Sequence, residues 1–186
     1  MKNINVNHLK IYIFVETLVV SILCYIFHFL FDWLNNNLLI APFVNVNESV
    51  WEHLKLPTNS FIIFAVVTIW QNKKYKNYVS ALGTKIIFCT IFIPLLYYIL
   101  KSINVKGELV NILILYVSII VSEIYEYYII TRNIIDKKYN STFIIIILIL
   151  QILFVIFTYH PLKLDIFKDN RYNSYGIIDK KSKEEL

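Results

Sequence analysis

The side chains able to do chemistry crowd into one stretch, Asn45-Val46-Asn47-Glu48-Ser49-Val50-Trp51-Glu52-His53-Leu54-Lys55-Leu56-Pro57. Carboxylate, imidazole, amide, hydroxyl, indole and ammonium groups meet there, in a chain otherwise dominated by Ile, Leu, Val, Phe and Tyr. One chemistry that fits is metal binding. Imidazole nitrogens and carboxylate oxygens suit zinc or a similar divalent ion, and His28, Glu48, His53 and His160 are the candidate ligands. A metal-bound water would be the nucleophile and Glu52 the general base, which describes a metal-dependent membrane hydrolase of lipid or peptide bonds. No HExxH spacing accompanies these residues. The reading favoured here is therefore non-enzymatic: Asn47, Glu48, Ser49, Trp51, Lys55 and Asp32 bind or pass a small molecule, a lipid or a partner. A plainer account competes with both. Ser49-x-x-Glu52 has the form of a capping box, each side chain bonding the other's backbone N–H, and Glu48 would favour the positive end of the helix so begun.

A second constellation is spread along the chain. Glu16, Lys85, Glu123 and Glu126 fall inside apolar runs, and an ionisable group at membrane depth has to find a partner. Glu123 and Glu126 share a helical face, and Lys85 is the natural counter-ion for one of them or for Glu16. The functional reading is a proton or cation relay, or the polar end of a substrate cavity. The structural one, preferred here, is a charge network that fixes helix packing. An ion-coupled transporter would show an inverted repeat, and none is visible.

The elements that must position these groups are membrane spans. Of 186 residues, 58% are hydrophobic and only 17% charged, with a mean hydropathy of +0.59. That is too apolar for one soluble domain. Apolar runs recur at about 11–31, 49–70, 79–100, 108–130 and 141–159, each near the length a transmembrane helix needs. The class expected is an all-α integral membrane bundle of about five helices, in a single domain, with a polar extramembrane cap. The cap would be built from segment 45–55, the end of the first span and the start of a polar tail at 160–186. Residues 1–10 read as a polar lead. Pro57 should bend or restart the second helix, Pro94 should kink the third, and Gly176 marks a turn.

Net charge is +5, but the lysines sit in connections between apolar runs, which argues for membrane topology and against nucleic acid. An N-terminus in the cytoplasm puts Lys2, Lys10, Lys73, Lys74, Lys76, Lys85, Arg132, Lys137 and Lys138 inside. It leaves Lys101 and Lys106 in the outer short loops. Five spans then place the tail outside, although it carries Lys163, Lys168, Arg171, Lys180, Lys181 and Lys183. The expected location is a bacterial cytoplasmic membrane, multi-pass. The bilayer is the expected partner, and a small-molecule or lipid ligand and a homo-oligomer stay open. Cys24 and Cys89 fall within apolar runs and read as small buried hydrophobes. The first run lacks a small-residue cleavage site and reads as a retained anchor. The wealth of Ile, Asn, Lys and Tyr reads as compositional bias.

At Asn47-Glu48-Ser49-x-Trp51-Glu52-His53-x-Lys55 the chain resembles a small uncharacterised bacterial family of multi-pass membrane proteins, a domain of unknown function. The resemblance extends upstream to His28-Phe29-x-x-Asp32-Trp33. Downstream it takes in Phe157-Thr158-Tyr159-x-Pro161-x-x-Leu164-x-x-Phe167-x-Asp169 and Tyr175-Gly176-Ile177. Family members tend toward a double proline and an Asp-Pro in the tail. Here Leu162 follows Pro161 and Asn170 follows Asp169. The resemblance implies a membrane location and no particular activity.

Overall fold

The computed structural model describes residues 6–178. Lys2 and the tail residues Lys180, Lys181 and Lys183 lie outside them. Five long helices follow in order: α1 (Val6–Trp33), α2 (Val50–Asn72), α3 (Tyr78–Ser102), α4 (Glu108–Arg132) and α5 (Asn140–Tyr159). Each is long and apolar enough to cross a membrane, α5 together with the short turn that leads into it. Among the described residues there is no strand, only an isolated antiparallel bridge between Lys168 and Tyr175. The chain is all-α.

The helices run up and down, and side chains that cross between chain segments mark the two ends. At one end Lys74 Nζ lies 3.1 Å from His8 Nδ1, Asn77 donates to the carbonyls of Ile129 and Ile135, and Asn140 donates to that of Lys76. We call this the His8 end. At the other, the His28 end, Lys55 reaches Ala41 and Thr158, Lys101 pairs with Asp165, and Arg171 pairs with Glu108. α3 is central, packing on α2, α4 and α5, while α1 packs on α2 and α4. Gly83 permits the α3–α5 approach: a Cβ there would meet Phe143 Cδ1 at 2.5 Å.

Several local expectations need correction. α1 begins at Val6 and not after the polar lead, because Leu9 is completely buried and draws the first turn into the bundle. α2 begins directly after Ser49, as the capping box implied, and continues through Pro57 without restarting there; α3 is likewise one helix through Pro94. The capping box is half formed. Ser49 Oγ accepts the Glu52 N–H at 3.3 Å, but the Glu52 carboxylate turns to Lys55 and the Val46 N–H instead. The Ser49 N–H is taken by Asn47 Oδ1 at 2.8 Å. Asparagine abundance is also more than bias. Asn35, Asn36, Asn104, Asn133 and Asn173 all adopt positive φ, the left-handed conformation that short polar side chains tolerate. In a chain with only 3 Gly, Asn takes over the turns after α1, α3 and α4.

Candidate functional site

The His28 end is assembled by loop 34–49 and the tail folding over the starts and ends of helices. Asp169, completely buried, is the tail's anchor. Its Oδ2 accepts the Glu48 N–H at 2.8 Å, and its Oδ1 accepts the N–H groups of Arg171 and Tyr172. Asn47 Nδ2 donates to the Gly176 carbonyl at 2.8 Å. Gly176 takes φ +73°, with Pro161 packed where a Cβ would sit, so the expected turn is present. Trp51 lies edge-on to Phe154 and Phe157 and tilted against Phe167, tying α2 to α5 and the tail.

This scaffold leaves Glu48 between two histidines. His28 Nε2 stands 3.7 Å from Glu48 Oε1, and His53 Nε2 stands 3.5 Å from Glu48 Oε2. The imidazole centroids are 5.4 Å apart, and one ligand atom from each of the three residues lies within 4.8 Å of the others. All three are half-buried. His53 Nδ1 is 2.8 Å from the Ser49 carbonyl oxygen. A carbonyl only accepts, so Nδ1 carries the proton and Nε2 of the neutral ring carries the lone pair. His28 Nδ1 is 3.2 Å from the Asn45 amide nitrogen, while Asn45 Oδ1 is buried without a hydrogen-bond partner. As placed, the amide donates to Nδ1 and leaves the ring proton on Nε2, toward Glu48; turned by 180° it would accept from Nδ1–H and leave the Nε2 lone pair facing Glu48. A cavity of about 30 Å³ adjoins Glu48 and His53, walled by Val50, Ile93, Tyr97 and Ile114. It is large enough for an ordered water. Arg171 lies within electrostatic reach of His28 and Glu48. Burial opposes its charge, but the Glu48 and Glu108 carboxylates raise its pKa above the usual guanidinium value.

The remaining candidates fall elsewhere. His160, exposed and capping the C-terminus of α5, is not in this group. Asp32 is exposed one turn beyond His28 and acts on it electrostatically. Glu52 and Lys55 form a buried ion pair. Lys55 Nζ also donates to Ala41 O at 2.8 Å and Thr158 Oγ1 at 2.9 Å, so the pair clamps the loop, α2 and α5 together. Asn45, Asp169 and Arg171 complete the site although none was among the candidates. Asp169 contacts Glu48 across a separation of 121 residues, and helical periodicity carries no signal over that distance.

The second constellation is brought together in full. Lys85 Nζ donates to Glu16 Oε1 at 2.7 Å and to Glu126 Oε2, with Glu123 Oε2 at 3.5 Å. All four residues are buried. The Phe61 ring stands 4.4 Å from the ammonium, so α1, α2, α3 and α4 converge there. One turn from Glu16, Tyr12 OH lies 2.9 Å from Tyr78 OH and 3.2 Å from Thr68 Oγ1. Cys24 and Cys89 are buried and free.

No curated protein and no solved structure matches the chain. A family of unknown function (DUF6512) matches residues 1–177, and the chain belongs to that family.

Proposed function

We propose that the protein is a multi-pass membrane protein that binds a divalent transition-metal ion through His28, Glu48 and His53. The bound ion would in turn hold a small ligand entering from the adjoining cavity. The observation that carries this reading is the His53 tautomer. With Nδ1–H committed to Ser49, Nε2 faces a carboxylate oxygen 3.5 Å away, an approach that a cation between them, a proton or a metal ion, makes favourable. Two imidazoles and one carboxylate, with a side open to a cavity, form the ligand set of open zinc sites. The Ser49 and Asn45 contacts are the outer partners that such ligands require. We place the protein in a bacterial cytoplasmic membrane with the His8 end inside. Support comes from Lys73, Lys74, Lys76, Lys137 and Lys138 in the two short connections at that end, and from Arg132 at the end of α4.

The test is metal analysis on detergent-purified protein, wild type beside His53→Ala and Glu48→Gln. Zinc or manganese near one per chain is expected in the wild type and loss in both variants. Asn45→Ala should weaken binding by about 10–100-fold, as loss of an outer partner does. A wild type that takes up no ion when loaded would leave the three side chains as a proton-sharing group and remove the proposal.

Hydrolysis of an ester or amide bond is the second reading, favoured by Arg171, which would stabilise an oxyanion near Glu48. Against it, Glu52 is committed to Lys55 and Asp169 to three backbone N–H groups, so neither is a spare base. Turnover of lipid or peptide esters by the zinc-loaded wild type, lost in His53→Ala, would restore it.

A further inference from the structure

Between α1 and α4 lies a cavity of about 580 Å³, within the range of small-molecule sites. Ile13, Phe14, Leu18, Ile120 and Ile124 form its apolar walls, and Glu123 is its acidic member. Phe14, Leu18, Ile120 and Ile124 are each at least half exposed, so the cavity opens sideways, toward where a bilayer would lie. Lys10, Tyr127 and Tyr128 lie at its His8 end. Lys10 is exposed there.

Glu123 differs from the other carboxylates of its cluster. Three carboxylates share the single ammonium of Lys85, and the two close contacts go to Glu16 and Glu126. Glu123 is 2% exposed, and neither of its oxygens receives a hydrogen bond. Its one link to Lys85 is the 3.5 Å approach of Oε2. The carboxylate with the weakest hold on the internal cation is thus the one that borders the cavity. A buried carboxylate lacking donors is costly, and an ammonium group in the cavity would supply both charge and N–H donors.

We propose that this cavity binds a long-chain primary amine. Its ammonium head would bond Glu123 and its hydrocarbon chain would lie along Ile13, Leu18 and Ile124. The site is separate from the His28 centre, roughly 16 Å further along α1 from Thr17 at a rise of 1.5 Å per residue. It does not depend on metal binding there.

Dodecylamine is the probe, compared with dodecanol, and binding is measured by native mass spectrometry and thermal shift on the full chain in phosphatidylcholine nanodiscs. One saturable dodecylamine per chain is expected, with dodecanol bound about tenfold more weakly or worse. Glu123→Gln should weaken the amine by about 10–100-fold, the value of a hydrogen bond to a charged group, and leave dodecanol unchanged. Leu18→Trp, which fills the rim without touching the charges, should weaken both. Equal binding of amine and alcohol by the wild type would overturn the proposal, since any chain would then fill the groove. So would a folded Glu123→Gln that keeps its amine affinity. If Glu123→Gln does not fold, full amine affinity in Leu18→Trp overturns the proposal in its place.

Discussion

Replacing Lys55 by Met tests whether the Glu52–Lys55 pair holds the His28 end together. Lys55 is fully buried and Glu52 is 2% exposed. Met preserves most of the side-chain volume but removes the charge and every donor. Glu52 would then be a buried carboxylate with the Val46 N–H at 3.2 Å as its remaining donor within normal range. Thr158 Oγ1, at 3.5 Å, is at the limit of hydrogen bonding. Ala41 O would lose the donor now 2.8 Å away. Removing one partner of a buried ion pair typically costs about 3–5 kcal/mol, because the other charge is left uncompensated. Adding Glu52→Gln removes that charge, so the double variant should be more stable than Lys55→Met alone. What remains is the loss of neutral hydrogen bonds, about 1–3 kcal/mol. The assay is reversible unfolding in mixed micelles with increasing dodecyl sulfate, followed by Trp51 fluorescence in a background where Trp33 and Trp70 are replaced by Phe. That ring sits 4.9 Å from Phe167 and 5.3 Å from Phe154, so it reports directly on the α2–α5–tail junction. A Lys55→Met loss below about 1 kcal/mol would place the pair in the solvent-exposed class and refute the clamp. A double variant no better than the single would show that the cost lies in packing and not in charge.

Two further outcomes follow from single contacts. Gly83→Ala should destabilise the fold by about 1–3 kcal/mol, the usual cost of overpacking, because the added Cβ meets the Phe143 ring and backbone-proximal carbon at 2.5–2.6 Å. The same unfolding assay reads it, and a gain in stability, as helix propensity alone predicts, would mean that α3 and α5 separate freely. Asp165 is held below the usual carboxylate range by its hydrogen bond from Lys101. The unfolded chain therefore takes up the proton first as pH falls. The contribution is fully present above the ordinary Asp pKa and lost as pH drops through the lowered one. Both side chains are 40% exposed or more, so screening limits the effect to about 0.5 kcal/mol. The difference between wild type and Lys101→Met should vanish below that window, and a difference growing toward acid pH would reverse the assignment.

The helices were legible because about 20 consecutive apolar residues leave few alternatives. The Glu16–Lys85–Glu126 contact was legible because a charge at that depth requires a partner, and the chain offers a single Lys there. The stretch at 45–57 was legible as a place and only partly as an arrangement. Spacing offered Glu48 both as a charge at the positive end of α2 and as a partner of His28, His53 and His160, and it stands just before the helix, facing His28 and His53. Nothing local distinguishes a carboxylate that pairs with a lysine one turn on from one that meets an imidazole on another helix. That choice is made by loop 34–49 and by Asp169, whose contacts cross more than a hundred residues.

The two sites can be separated by one physical criterion, the state of compensation of each buried group. Glu52 has an ammonium and a backbone donor, Asp169 has three backbone donors, and Glu16 and Glu126 share Lys85. These carboxylates are explained by the fold they hold together. Glu48 and Glu123 are the exceptions. Glu48 is half-buried between two imidazoles, with Arg171 within electrostatic reach, and Glu123 faces a cavity with no donor on either oxygen. On the readings proposed above, a metal ion would complete the first arrangement and an ammonium group the second. The proposed guests differ because the surroundings differ: two imidazoles would favour a metal ion, and apolar walls open to the side would favour an alkyl chain with an ammonium head.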